Sequence, residues 1–102
     1  MNRAATPGRP WPATHRTGGP IDAVFDQLRR HHPDLVIHRL EVSHPADDDN
    51  VYFLGDAGRP DRVQVDTAPH GQPPYLIEGH DRRRTTDPAT AVALVGTWLA
   101  DP

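Results

Sequence analysis

Seven histidines, at positions 15, 31, 32, 38, 44, 70 and 80, are the first residues to test for chemistry, because imidazole is the commonest transition-metal ligand. No two of them have the i, i+4 spacing that would place a pair on one helix face, and His31 and His32, adjacent on a helix, diverge by about 100°. His38, His44, Glu78 and His80 are the set that neighbouring strands would have to bring together, and whether His38, His44, His70 and His80 converge is not readable from spacing. The expectation is that no metal or other cofactor is bound. Asp47-Asp48-Asp49-Asn50 has the oxygen donors of a calcium loop but not the spacing, since Tyr52 stands where the turn glycine belongs. It reads as a solvated turn able to present three carboxylates to a basic partner.

Catalytic constellations are equally sparse. Ser43 is the only serine, and its neighbour His44 points to the opposite side of an extended segment, so the two cannot form a nucleophile–base pair. No lysine and no cysteine occur, which removes Schiff-base chemistry, the phosphate-loop lysine, thiolate metal sites and disulfides. Asp66 with His70, and Glu78 with His80, are conceivable acid–base pairs, but such residues at strand ends ordinarily serve as polar edges. Arg82-Arg83-Arg84 reads as a solvated turn leading into the last helix, with Asp81, Asp87 and Glu78 as available ion-pair partners.

Charge is unevenly distributed along the 102 residues. Residues 1–20 carry three arginines and no acid, whereas residues 21–102 carry eight arginines against 14 acids, a net charge of −6. Phosphate contacts supply most of the affinity of nucleic-acid binders, so an acidic body argues against that class. No apolar run reaches the roughly 18 residues of a membrane span and no secretory signal is present, so the expectation is a cytoplasmic protein without a membrane partner.

These residues must be positioned by a small fold. Residues 1–20, with four prolines, three glycines and no apolar periodicity, read as a disordered arm, leaving residues 21–102 as one compact domain. Ile21, Val24, Phe25 and Leu28 have the spacing of an amphipathic helix that Pro33 ends. Strands are predicted over 35–42, 50–54, 62–67 and 75–78, joined by short loops. Asp87 and Pro88 then open a second helix with Ala91, Leu94, Val95, Trp98 and Leu99 on one stripe. The predicted fold is α+β: helix, four-stranded antiparallel meander, helix, with both helices on one face of the sheet.

This order, together with Asp-Asp-Asp-Asn-Val-Tyr-Phe at 47–53 and Pro-Pro-Tyr-Leu-Ile-Glu at 73–78 before a helix ending in Trp98-Leu99, resembles small bacterial immunity proteins. The resemblance covers residues 21–100 and implies a non-enzymatic protein that binds a toxin domain and blocks its active site. No functional residue transfers with it. The residues themselves point the same way: carboxylates at Asp47, Asp48, Asp49, Asp56, Asp61 and Asp66 suit a basic protein partner, with Tyr52 and Tyr75 as further contact residues. The competing expectation is a small-molecule-binding protein or small enzyme with a pocket lined by Tyr52, Tyr75, His38 and Glu78. A sheet with one uncovered face bearing Tyr52 or Leu54 would also permit a weak homodimer in place of a monomer.

Overall fold

The computed structural model describes residues 16–40 and 50–100. Helix α1 spans Ile21–His31, followed by β1 (Val36–Arg39), β2 (Val51–Gly55), β3 (Val63–Ala68), a 3-10 turn (Pro69–Gly71), β4 (Gln72–Glu78), β5 (Arg82–Thr85) and α2 (Pro88–Ala100). All neighbouring strands are antiparallel, in the order β1-β2-β3-β4-β5. The α+β class and the meander are as expected; the number of strands is five where four are predicted.

The additional strand is Arg82–Thr85, the arginine cluster that the sequence suggests is a turn. It pairs with Tyr75–Glu78 at the edge of the sheet. Its three arginines are exposed, so the alternation of apolar and polar residues that betrays a half-buried strand is absent. Charged side chains on an edge strand also discourage pairing with another chain. Strand β4 begins three residues before its predicted start and takes in Pro73 and Pro74. Its pairing with β5 starts only at Tyr75, so these two prolines, which lack an N–H, leave no bond to that neighbour unmade.

Each helix ends for an identifiable reason. Ahead of α1, the Asp22 carboxylate, only 7% exposed, accepts hydrogen bonds from the Thr17 N–H (2.9 Å), the Thr17 hydroxyl (3.1 Å) and the Gly18 N–H (2.9 Å). Arg16 Nη2 reaches both oxygens of Asp26, at 3.0 and 2.8 Å. Residues 16–20 therefore belong to the folded unit, which corrects the boundary at Ile21; the rest of the predicted arm lies outside the described residues. The tie is made by the polar side chains of Asp22 and Asp26 within α1, which leave no apolar periodicity to read. Asp87 caps α2 as predicted, accepting from the Thr90 hydroxyl (2.7 Å) and the Thr90 N–H (3.2 Å), and the Thr90 hydroxyl is the main cause that holds its carboxyl below the usual range. At the other end of α2, Arg62 Nη1 and Nη2 donate to the carbonyls of Leu99 (2.9 Å) and Trp98 (3.4 Å).

The core is a single cluster. Ile21, Val24, Phe25 and Leu28 of α1 and Ala91 and Val95 of α2 meet Tyr52, Leu54, Val63, Val65, Tyr75 and Ile77 of the sheet. Register places those strand residues on one face: Leu54 stands opposite Val63, Tyr52 opposite Val65, and Val65 opposite Ile77. The Phe25 ring meets Tyr52 edge-on at a centroid distance of 4.9 Å, so α1 shares this face with α2. Among the described residues no helix is long and apolar enough to cross a membrane.

Candidate functional site

Because side chains alternate across a strand, packing both helices on one face of the sheet leaves the other uncovered by the described residues. Two cross-strand rows make up this open face. One runs His38, Phe53, Gln64, Glu78, Arg82; the other runs Val51, Asp66, Leu76, Arg84. Phe53, Val51 and Leu76 are half-buried by their neighbours in the sheet and carry nothing above them from either helix. Leu40, which continues the alternation of β1, is 41% exposed. The central strand β3 thus places Gln64 and Asp66 in the middle of the face, the apolar Val51 and Phe53 of β2 and Leu76 of β4 stand on either side of them, and His38, Arg82 and Arg84 lie on the edge strands.

The polar groups of this face are partly committed to each other. Gln64 Nε2 donates to Asp66 (2.9 Å), and Arg82 Nε donates to Glu78 (2.7 Å). Arg83, on the opposite face, pairs with Asp81 at 2.8 Å. Arg84 has no ion pair among the described residues. Asp66 and Arg84 flank Leu76 from the strands on either side of β4, so they are two strand spacings apart, about 9.5 Å between strand axes. Here the β3–β4 register shifts between Asp66 and Ala68, and an open depression of about 360 Å³ forms over Asp66, Ala68, Pro74, Leu76 and Arg84. The depression lies at the end of the sheet where segment 41–49 leaves at Leu40 and returns at Asn50. The Leu40 N–H donates to the Val51 carbonyl (2.8 Å), and the Thr67 N–H to that of Asn50 (2.9 Å).

The residues singled out from the sequence scatter. Asp47, Asp48 and Asp49 lie outside the described residues. Tyr52 and Tyr75 are core residues, each 0% exposed, which corrects their assignment as contact residues: they point under the helices, away from any partner. The Tyr75 hydroxyl is enclosed with no hydrogen-bond partner among the described residues, and burial pushes its phenol up from the ordinary value. The pocket expected from Tyr52, Tyr75, His38 and Glu78 does not form, because the two tyrosines and the other two residues are on opposite faces. The same parity puts Tyr52 and Leu54 on the covered face; the uncovered one carries Val51 and Phe53. Asp56 closes the β2–β3 loop, accepting from the N–H groups of Gly58 (2.9 Å) and Arg59 (2.8 Å). That loop is at the far end of the sheet from segment 41–49, so Asp56 and Asp61 do not extend a single acidic patch. Of the expected contact residues within the described chain, Asp66 alone reaches the open face.

The histidines do not assemble. His38 is on the open face at one edge of the sheet, His70 is in the 3-10 turn with a left-handed backbone (φ 64°), and His80 is in the β4–β5 turn; His44 lies outside the described residues. Among the described residues no three His, Asp or Glu side chains are grouped to hold a metal ion. His32 packs towards Gly96 of α2 beside a second depression, and burial, then the neighbouring His31, lowers its pKa.

Phe53, Leu76 and Val51 were not reached by sequence reasoning as site residues, and Arg84 only as part of a solvated turn, yet a signal exists for the three apolar ones. Val51-Tyr52-Phe53-Leu54 and Tyr75-Leu76-Ile77 are continuous apolar runs, where a strand with one wet face would alternate. Such runs mark strands with two faces to cover. No protein-family model, no curated protein and no solved structure matches this chain.

Proposed function

We propose that this chain is a non-enzymatic protein-binding module that docks a basic partner on the open face of its sheet, an inhibitor of the immunity type. The observation that supports this reading is the face itself: half-buried Val51 and Phe53 on β2 and Leu76 on β4 flank the polar Gln64 and Asp66 of the central strand, with Glu78, Arg82 and Arg84 towards one edge. Large apolar side chains left uncovered among polar ones are the material of a protein interface, and a few such side chains carry most of the binding energy. The connection from Leu40 to Asn50, whose residues 41–49 lie outside the described ones, holds Glu41, Asp47, Asp48 and Asp49 in its sequence. Four carboxylates there would speed encounter with a basic surface and make it sensitive to salt.

The test is capture from a lysate of the source organism on the immobilised full chain, compared with Phe53→Asp/Leu76→Asp and with Asp47, Asp48 and Asp49 changed together to Asn. The wild type should retain a basic protein; the double variant should lose it while keeping the wild-type circular dichroism spectrum and a cooperative melt. The triple variant should slow association and flatten its dependence on salt. Equal retention by the wild type and the folded double variant would remove the open face as the docking surface. A small ligand in the depression over Leu76 is the second reading, favoured by its volume of about 360 Å³. That reading predicts a rise in melting temperature with a metabolite panel and no retained protein.

A further inference from the structure

We infer that a second site, at the opposite end of the sheet from the depression over Leu76, binds the phosphate group of a small molecule. The β2–β3 loop, the β4–β5 turn and the end of α2 meet there around a depression of about 140 Å³, lined by Arg59, Arg62, Gly79, His80 and Trp98. A depression of that size has room for one tetrahedral oxyanion. Arg59, Arg62 and His80 line it, and among the described residues no carboxylate does, although the 21–102 body as a whole is acidic.

Three nearby acids are engaged elsewhere, while Asp61, in the same loop, is exposed. Glu78 holds Arg82, Asp81 holds Arg83 and the Arg82 N–H, and Asp56 accepts from its own loop. Neither Arg59 nor Arg62 has a carboxylate partner among the described residues. Arg62 is held by the carbonyls of Leu99 and Trp98, which use two of its five N–H donors and fix the plane of the rest. A guanidinium positioned before the ligand arrives loses little freedom on binding it. Gly79 keeps one wall open: a Cβ there would stand 2.7 Å from Trp98 Cε3, so its bare backbone lies against the indole. Two fixed or nearby guanidinium groups favour a dianion over a single carboxylate, and phosphate is the oxyanion whose geometry Arg matches.

The site can be read out through Trp98, one of two tryptophans, after Trp11→Phe removes the other. Inorganic phosphate and ribose 5-phosphate are titrated into the full chain, at constant ionic strength with chloride as the balancing ion, and followed by Trp fluorescence and calorimetry. Saturable binding is expected, weakened about tenfold by Arg59→Ala and less by Arg59→Lys, as for loss of one charge-assisted hydrogen bond. Arg59 is exposed and enters its loop only through backbone bonds to Asp56, so these variants should melt as the wild type does. Equal affinity for the two probes would identify the free ion as the ligand, and tighter binding of the ester would identify a phosphorylated metabolite. No saturable change up to ~10 mM of either probe, ten times a ~1 mM Kd, or unchanged affinity in Arg59→Ala, would overturn the proposal.

Discussion

Tyr75→Phe separates a core tyrosine from a binding one, and its effect can be worked out from the structure. The side chain is fully enclosed, its hydroxyl has no hydrogen-bond partner among the described residues, and the group sits opposite Thr85 beneath the helices. Leaving a buried hydroxyl unpaired costs ~1–3 kcal/mol in lost hydration. Phenylalanine removes that cost and leaves a gap of one oxygen, which at about 24 cal/mol per Å³ forfeits less than ~1 kcal/mol. The variant should therefore be more stable by ~0.5–2 kcal/mol, or ~3–10 °C in Tm for a domain of this size. Urea unfolding of the full chain, followed by far-UV circular dichroism, measures the difference as a shift in midpoint at constant m. Capture of a partner should be unchanged, because Tyr75 offers no surface. Loss of more than ~1 kcal/mol with unchanged m would refute the reasoning, since it would mean that the hydroxyl is bonded in the folded chain.

Two further outcomes follow from the packing at the other end of the molecule. Burial lowers the His32 pKa in the folded state, so the unfolded chain binds the proton more readily; the stability this neutral imidazole contributes is full above about pH 6.5 and is lost as pH falls through the lowered folded value. The urea midpoint of the wild type should fall between pH 8 and pH 5 more steeply than that of His32→Asn, and parallel profiles would contradict this. Gly55→Ala should destabilise the chain by ~1–3 kcal/mol in the same assay, because the new Cβ would collide with the backbone carbonyl of Arg59. Wild-type stability in that variant would show that the β2–β3 loop is free to move away.

Much of the architecture is written in local pattern. The Ile21, Val24, Phe25, Leu28 stripe defines the buried side of α1, Asp87-Pro88 starts α2, and short loops between apolar runs require an antiparallel meander. What local pattern did not reveal is β5, whose arginines are placed by pairing with β4 at an exposed edge where no apolar alternation is needed. The tie of residues 16–20 to α1 is hidden for a similar reason: it rests on Asp22 and Asp26 as acceptors, and hydrogen bonds of that kind have no period.

For the candidate site the division is sharper. Composition and motif spacing determined what chemistry the chain lacks: no lysine, no cysteine and one serine leave few catalytic options, and the acids outnumber the bases after residue 20. Which residues meet was decided only by the tertiary structure. Alternation states that Tyr52 and Phe53 face opposite ways, but not which of them the helices cover, because both are large and apolar. That choice was made by the packing of Phe25 on Tyr52 and by the register that aligns Tyr52, Val65 and Ile77. The two ends of the sheet were likewise separated by strand direction, which sends Asp56 and Asp61 away from segment 41–49 and brings Arg59 and Arg62 to Trp98. Contacts between residues distant in sequence depend on register and on which face is covered, and both are properties of the assembled sheet.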